Sequence, residues 1–143
     1  MPLGPGDLDQ DSFSPRYIAI DSNDNIYVTS NHKVQKFNRK GEFIKSIGSN
    51  SVKSKLGEFS FPQGVKVHES QVYVCDLRNN RIQVFDLELS FITSFGTKGS
   101  GEGQYEGPND LAFDSQGNIY VSEYGNNRVQ VLAGPQPPLP PTV

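Results

Sequence analysis

The chain has little with which to cross-link itself, hold a metal or enter a membrane. Among its 143 residues there is one cysteine, Cys75, which excludes an internal disulfide. No Asn-x-Ser/Thr acceptor occurs, so nothing marks the chain for export, and a reducing, cytoplasmic setting is the expectation. The two histidines, His32 and His68, lie far apart, so no metal site and no other cofactor is expected. Tryptophan is absent, and no run approaches the roughly 18 apolar residues of a membrane span. The opening MPLGPGDLDQDS has neither a basic nor an apolar targeting region, and no membrane partner is expected. Thirteen Lys and Arg against 16 Asp and Glu give a net charge of −3, which excludes an overall basic field for nucleic acid. Nucleophile-elbow, phosphate-loop and dinucleotide glycine motifs are all missing, so the chain is read as a non-enzyme.

What is present is repetition, with a period of about 46 residues. The first copy begins FSPRYIAIDSNDNIYVTSNHKVQKF at Phe13, the second FPQGVKVHESQVYVCDLRNNRIQVF at Phe61, and the third GPNDLAFDSQGNIYVSEYGNNRVQVL at Gly107. Each holds short β-branched and aromatic runs separated by Gly, Asn, Asp and Ser, the signature of antiparallel strands joined by turns. In the second copy the strands are expected at about 64–67, 71–75, 81–85 and 91–95. Ile82 and Val84 alternate with Arg81, Gln83 and Phe85, so both faces carry bulk and the sheet must be sandwiched. Small four-stranded sheets stacked around an axis satisfy this, and the fold class is all-β, a partial propeller of three blades.

The order Pro, apolar strand, Asp-x-x-Gly-Asn-Ile-Tyr-Val, Asn-Arg-Val-Gln-Val, Phe-x-x-Ser-Phe-Gly resembles the NHL repeat. The third copy carries it in DSQGNIYVSEYGNNRVQV and the second in YVCDLRNNRIQVF and FITSFG. WD40 and kelch repeats share the length, but there is no tryptophan and no Gly-His pair opening a repeat. The resemblance covers residues 13–132, with blades at about 13–60, 61–106 and 107–132, flanked by a polar segment 1–12 and a Pro-rich tail 133–143. NHL propellers are commonly six-bladed and serve as interaction modules, some within ubiquitin-ligase-type proteins whose zinc-binding RING supplies the activity. That resemblance implies partner or substrate recruitment by a protein or peptide ligand. The alternative it implies is single-stranded RNA bound on the propeller rim.

The copies differ. In the first, the second hairpin is two residues shorter, Lys33 stands in place of Arg81 and Arg128, and Lys36 in place of Val84 and Val131. The third ends its strand pattern at Leu132, and prolines in AGPQPPLPPTV cannot extend the pairing, so its outer strand is missing. Three readings remain open: a fragment of a longer protein, an open arc, or self-association through the open blade faces.

Strand direction places the second-to-third-strand hairpins and the interblade linkers on one rim. That rim sums to about +2 and the opposite rim to about −5. Candidate ligand residues are Arg78, Asn79, Asn80, Arg81, Tyr124, Asn126, Asn127 and Arg128, with Lys33 from the first blade. The competing structural reading is that Asn-Asn serves the turn and that Arg81 and Arg128 pair with Asp76 and Glu123. DSNDN at 21–25 begins like a calcium loop, but Ile26 and His32 stand where glycine and glutamate are needed, so it reads as a turn. PQPPLPP has Pro-x-x-Pro spacing without a flanking cation and reads as a spacer.

Overall fold

A computed structural model describes residues 14–49 and 51–134. The segment 1–12 and the tail motif PQPPLPP lie outside the described residues. Blade one is the meander β1 (Pro15–Ile20), β2 (Ile26–Ser30), β3 (His32–Phe37) and β4 (Phe43–Ser49). Blade two is β5 (Pro62–His68), β6 (Gln71–Asp76), β7 (Arg81–Asp86) and β8 (Phe91–Phe95). Two strands absent from the sequence expectation follow in the linker. They are β9 (Thr97–Lys98) and β10 (Gln104–Tyr105), paired parallel. Blade three is β11 (Pro108–Phe113), β12 (Ile119–Glu123) and β13 (Arg128–Leu132), with three strands among the described residues.

The local chemistry repeats with the sequence. Each blade opens on a proline, Pro15, Pro62 or Pro108, followed by a register shift against the second strand. Proline has no N–H to give to a ladder, and a bulge absorbs that loss. Four turns share one construction: the side-chain oxygens of Asp21, Asn38, Asp86 and Asp114 each accept the N–H groups two and four residues on. DSNDN is therefore a turn, and the Asp21 carboxylate is further engaged by Tyr27 Oη at 2.9 Å.

Alternation along the strands produces two cores, one in each blade interface. Val65, Val72, Val74 and Phe85 of blade two meet Tyr27 and Val34 of blade one. From the other face of the same sheet, Tyr73, Cys75, Ile82 and Val84 meet Leu111, Ile119 and Val121 of blade three. The first strands β1, β5 and β11 pack side by side and form the inner wall. Across it Asn109 Nδ2 donates to Tyr17 Oη at 3.3 Å, and Gly64 lies beneath, where a Cβ would meet Asp110 Oδ1 at 2.3 Å. Lys36, polar at an apolar position, crosses the first interface to donate to the Leu87 carbonyl at 2.7 Å. The end faces differ from the expectation of two bare surfaces. On blade one Ile18 and Ile20 are exposed while Val28, Gln35 and Phe37 are buried; on blade three Tyr120, Val129 and Val131 are all exposed.

Candidate rim site

The hairpins of blades two and three are each built around one buried carboxylate. Asp76 ends β6, and its Oδ1 accepts the Ser60 N–H at 2.8 Å while Oδ2 accepts Asn79 Nδ2 at 3.0 Å, Arg81 Nε at 2.9 Å and Gln83 Nε2 at 3.2 Å. Glu123 ends β12 and is met in the same order by Asn126 Nδ2 at 2.7 Å, Arg128 Nε at 2.7 Å and Gln130 Nε2 at 2.9 Å. The same side chains then reach the preceding interblade linker. Arg81 Nη2 donates to the Lys55 and Glu58 carbonyls and Asn79 to that of Lys53. Arg128 donates to the carbonyls of Ser100, Gly101 and Gln104, and Asn126 to that of Gly99. Each hairpin thus latches the linker that enters its own blade. Blade one has Ser30, Lys33 and Gln35 at these positions, and Gln35 Oε1 is buried without a hydrogen-bond partner among the described residues.

The two carboxylates titrate in opposite directions. Burial pushes the Asp76 carboxyl above its ordinary value, against the pull of Ser60, Asn79 and Arg81. Burial also pushes Glu123 up, but hydrogen bonds from Arg128, Asn126, Gln130 and the Glu106 N–H outweigh it and hold it below the usual carboxylate range.

Of the residues expected on the rim, Asn79, Arg81, Asn126 and Arg128 thus face inward to the latches. Asn80 and Asn127 occupy the left-handed turn positions, at φ 53° and 49°, and Asn80 Oδ1 accepts the Gly107 N–H. Lys33 is half-buried in blade one, apart from the other hairpins. Arg78, Asn80 and Tyr124 come together. With Leu77, Lys98, Glu106 and Gly107 they line a cavity of about 320 Å³ at the rim between blades two and three. Tyr124 is 76% exposed and its ring lies beside Gly107, whose positive φ of 66° and missing Cβ leave room for it. Neither Arg78 nor Lys98 has a carboxylate within 4.0 Å among the described residues.

A second cluster was not legible in the sequence. Phe61 adopts a left-handed φ of 55° and donates its N–H to His32 Nδ1 at 3.0 Å. The His32 ring meets Phe61 edge-on at 4.4 Å, and the Arg78 guanidinium sits 4.0 Å over the Phe61 ring. An Nδ1 that accepts must be unprotonated, and burial, then Arg16 and Arg78, hold His32 below its ordinary value. Arg78 therefore links the aromatic cluster of one blade interface to the cavity of the next. Its only sequence signal was its place in the hairpin.

Four-stranded antiparallel sheets packed face to face along a shared inner wall define these elements as blades of an open β-propeller. The comparisons agree. Residues 59–85 and 106–132 match the NHL repeat family, so the chain carries NHL repeats in blades two and three. NHL repeat-containing protein 2 of Gallus gallus is 30% identical over 97 residues, covering 64% of this chain and 12% of that protein. Protein brain tumor of Drosophila melanogaster is 39% identical over 69 residues, covering 47% of this chain and 7% of that protein. A solved protein of unknown function from Bacteroides thetaiotaomicron superimposes with a TM-score of 0.69 at 20% identity, covering 92% of this chain and 36% of that one. The chain thus spans only a small part of the length of these relatives.

Proposed function

We propose that this propeller segment is a protein-interaction module whose rim cavity between blades two and three receives an acidic peptide segment of a partner. The observation that supports this is the cavity's composition. It combines two cations with no carboxylate within 4.0 Å among the described residues, Arg78 and Lys98, against one acid, Glu106, and adds the exposed Tyr124 ring, while the neighbouring Asn and Arg donors are consumed in latches. Cations without a carboxylate partner keep their charge for a ligand, and an exposed tyrosine offers flat apolar area with a polar tip. Lys33, on another blade, stands outside this contact. Recruitment to a ubiquitin-ligase-type or scaffold assembly is the corresponding role, by analogy with relatives such as the RING finger protein nhl-1 of Caenorhabditis elegans. Any catalytic step belongs to other domains of such an assembly.

Single-stranded RNA is disfavoured on this rim because stacking recognition uses several exposed aromatics beside a basic groove, and Tyr124 is the only strongly exposed ring of the two hairpins. The test is a peptide array of acidic, aromatic-flanked sequences, read with the native chain and with the Arg78→Ala/Lys98→Ala and Tyr124→Ala variants. Binding lost in both variants supports the reading. Binding that persists in both, or a preference for oligonucleotide with a steep salt dependence, overturns it.

A further inference from the structure

The two blade interfaces are built alike and part at one place on the acidic rim. Asp21 and His68 hold equivalent positions at the ends of the first strands of blades one and two, and Val67 and Phe113 hold equivalent positions in the blades that face them. Between blades two and three the His68 ring lies flat on Phe113, with centroids 4.1 Å and planes 4° apart, and Tyr73 meets Phe113 edge-on at 4.8 Å. His68 is placed for this because it prolongs β5, paired with Gln71.

Between blades one and two Asp21 and Val67 take the places of that stack. Asp21 begins a turn instead of prolonging a strand, and its carboxylate folds back to accept the Asn23 and Asn25 N–H groups, Asn25 Nδ2 and Tyr27 Oη. The place of the ring is left as a cavity of about 300 Å³, lined by Asp21 from blade one and by Val67, Glu69 and Leu87 from blade two. Both walls are blades of this chain, so the space belongs to the interface itself and not to an open end.

The cavity is apolar where the half-buried Val67 and Leu87 join the interblade core, and negative where the Glu69 side chain, 83% exposed, stands at its opening. Burial pushes the Asp21 carboxyl up, but hydrogen bonds from Asn25, Tyr27 and Asn23 outweigh it and hold it below the usual carboxylate range, so it carries charge. Asp86 and Glu88 extend the negative field, which with burial raises the Tyr27 hydroxyl above its ordinary value. Against these four carboxylates stand two ammoniums, Lys36 on the Leu87 carbonyl and Lys45 on that of Glu88, and the balance stays negative.

We propose that this cavity receives an arginine side chain of a partner polypeptide, its stem on Val67 and Leu87 and its guanidinium toward Asp21 and Glu69. The guanidinium is flat, as the His68 ring is in the filled interface, and it keeps its charge at any physiological pH, whereas a lysine supplies the charge without the plane. The Asp21 oxygens already accept four hydrogen bonds, so Asp21 contributes charge. Glu69 contributes the acceptor, since among the described residues only His68 Nε2 approaches it, at 3.9 Å. This site lies on the rim opposite the cavity of Arg78 and Tyr124, takes a ligand of opposite charge and does not depend on it.

The test follows the Val67 and Leu87 methyl resonances of the full chain by NMR during titration with the peptide GSRSG, blocked at both ends. Saturable shifts at both residues are expected, and the same peptide with citrulline, which keeps the plane and loses the charge, is expected to bind about tenfold more weakly. Val67→Phe puts into the cavity the ring that Phe113 supplies next door and is expected to abolish the Leu87 shifts. Glu69→Gln, at an exposed turn position, leaves the fold intact and is expected to weaken binding about threefold to tenfold. The Arg78→Ala/Lys98→Ala variant must keep the shifts, which separates this site from the other rim. Unmoved methyls at about 10 mM peptide, citrulline binding as tightly as arginine, or shifts that survive both Val67→Phe and Glu69→Gln would each overturn the proposal.

Discussion

Blades two and three carry the same latch in different surroundings. In both, a carboxylate at the end of the second strand gathers an Asn, an Arg and a Gln and ties them to the incoming linker. Blade two lies between two neighbours and its latch sits over two apolar interfaces; blade three has a neighbour on one side and an open face on the other. Side-chain exposure follows. The Arg81 side chain is 13% exposed and that of Arg128 30%, although both carboxylates are fully covered. The motif is local, but its energetic weight depends on what packs around it.

The largest expected effect comes from breaking the middle latch. Arg81→Ala strands a buried carboxylate and unpairs two linker carbonyls, and loss of one partner of a buried pair costs about 3–5 kcal/mol. Chemical denaturation of the variant against the native chain measures it. The same change at the open end, Arg128→Ala, is expected to cost about 1–3 kcal/mol, because water replaces part of what the guanidinium provided. Equal losses at the two sites would show that the neighbouring blades do not matter to the latch.

Acid sharpens the comparison. Glu123 is held below its ordinary value, so the folded state binds fewer protons there than the unfolded chain, and its contribution is full above about pH 4.5 and fades as pH falls. Asp76 is raised, so its titration has the opposite sign: that contribution is full below the unfolded value near pH 3.8 and is lost as pH rises through the folded one. Glu123→Gln should therefore flatten the loss of stability below pH 4.5, and Asp76→Asn should not.

His32 adds a separate event at milder pH. Its lowered value means that stability present above about pH 6.5 is lost as pH falls, when a proton on Nδ1 removes the acceptor for the Phe61 N–H. Thermal melts between roughly pH 7 and pH 5 should show this slope in the native chain and not in His32→Gln. The smallest effect falls on the exposed ring. Tyr124→Ala should shift stability by no more than about 0.5 kcal/mol while abolishing peptide binding at the rim, and a melt beside a binding isotherm separates the two.

Much of this architecture was legible before any coordinates. The repeat period, the strand alternation and the turn asparagines and aspartates are written in neighbouring residues, and the Arg81–Asp76 and Arg128–Glu123 pairs join positions five apart across one hairpin. The β9–β10 pairing was not legible, because two-residue strands in a glycine-rich linker leave no periodic signal. Nor was the Phe61 cluster. It needs His32 from blade one, Phe61 from the linker and Arg78 from blade two, and no spacing in the chain announces that meeting.

The sequence alone determined the blades, their order and the chemistry of their turns, since each depends on residues close enough along the chain to meet whatever the rest of the molecule does. Only the tertiary structure decided how donors are used. The guanidinium of Arg81 lies 26 residues from the Lys55 carbonyl it binds, and Arg78 and Tyr124 come to one cavity from different blades. Those outcomes depend on how one sheet is rotated against the next, a quantity set by the packing of Val, Ile, Tyr and Phe side chains in the two interblade cores and by no single stretch of sequence.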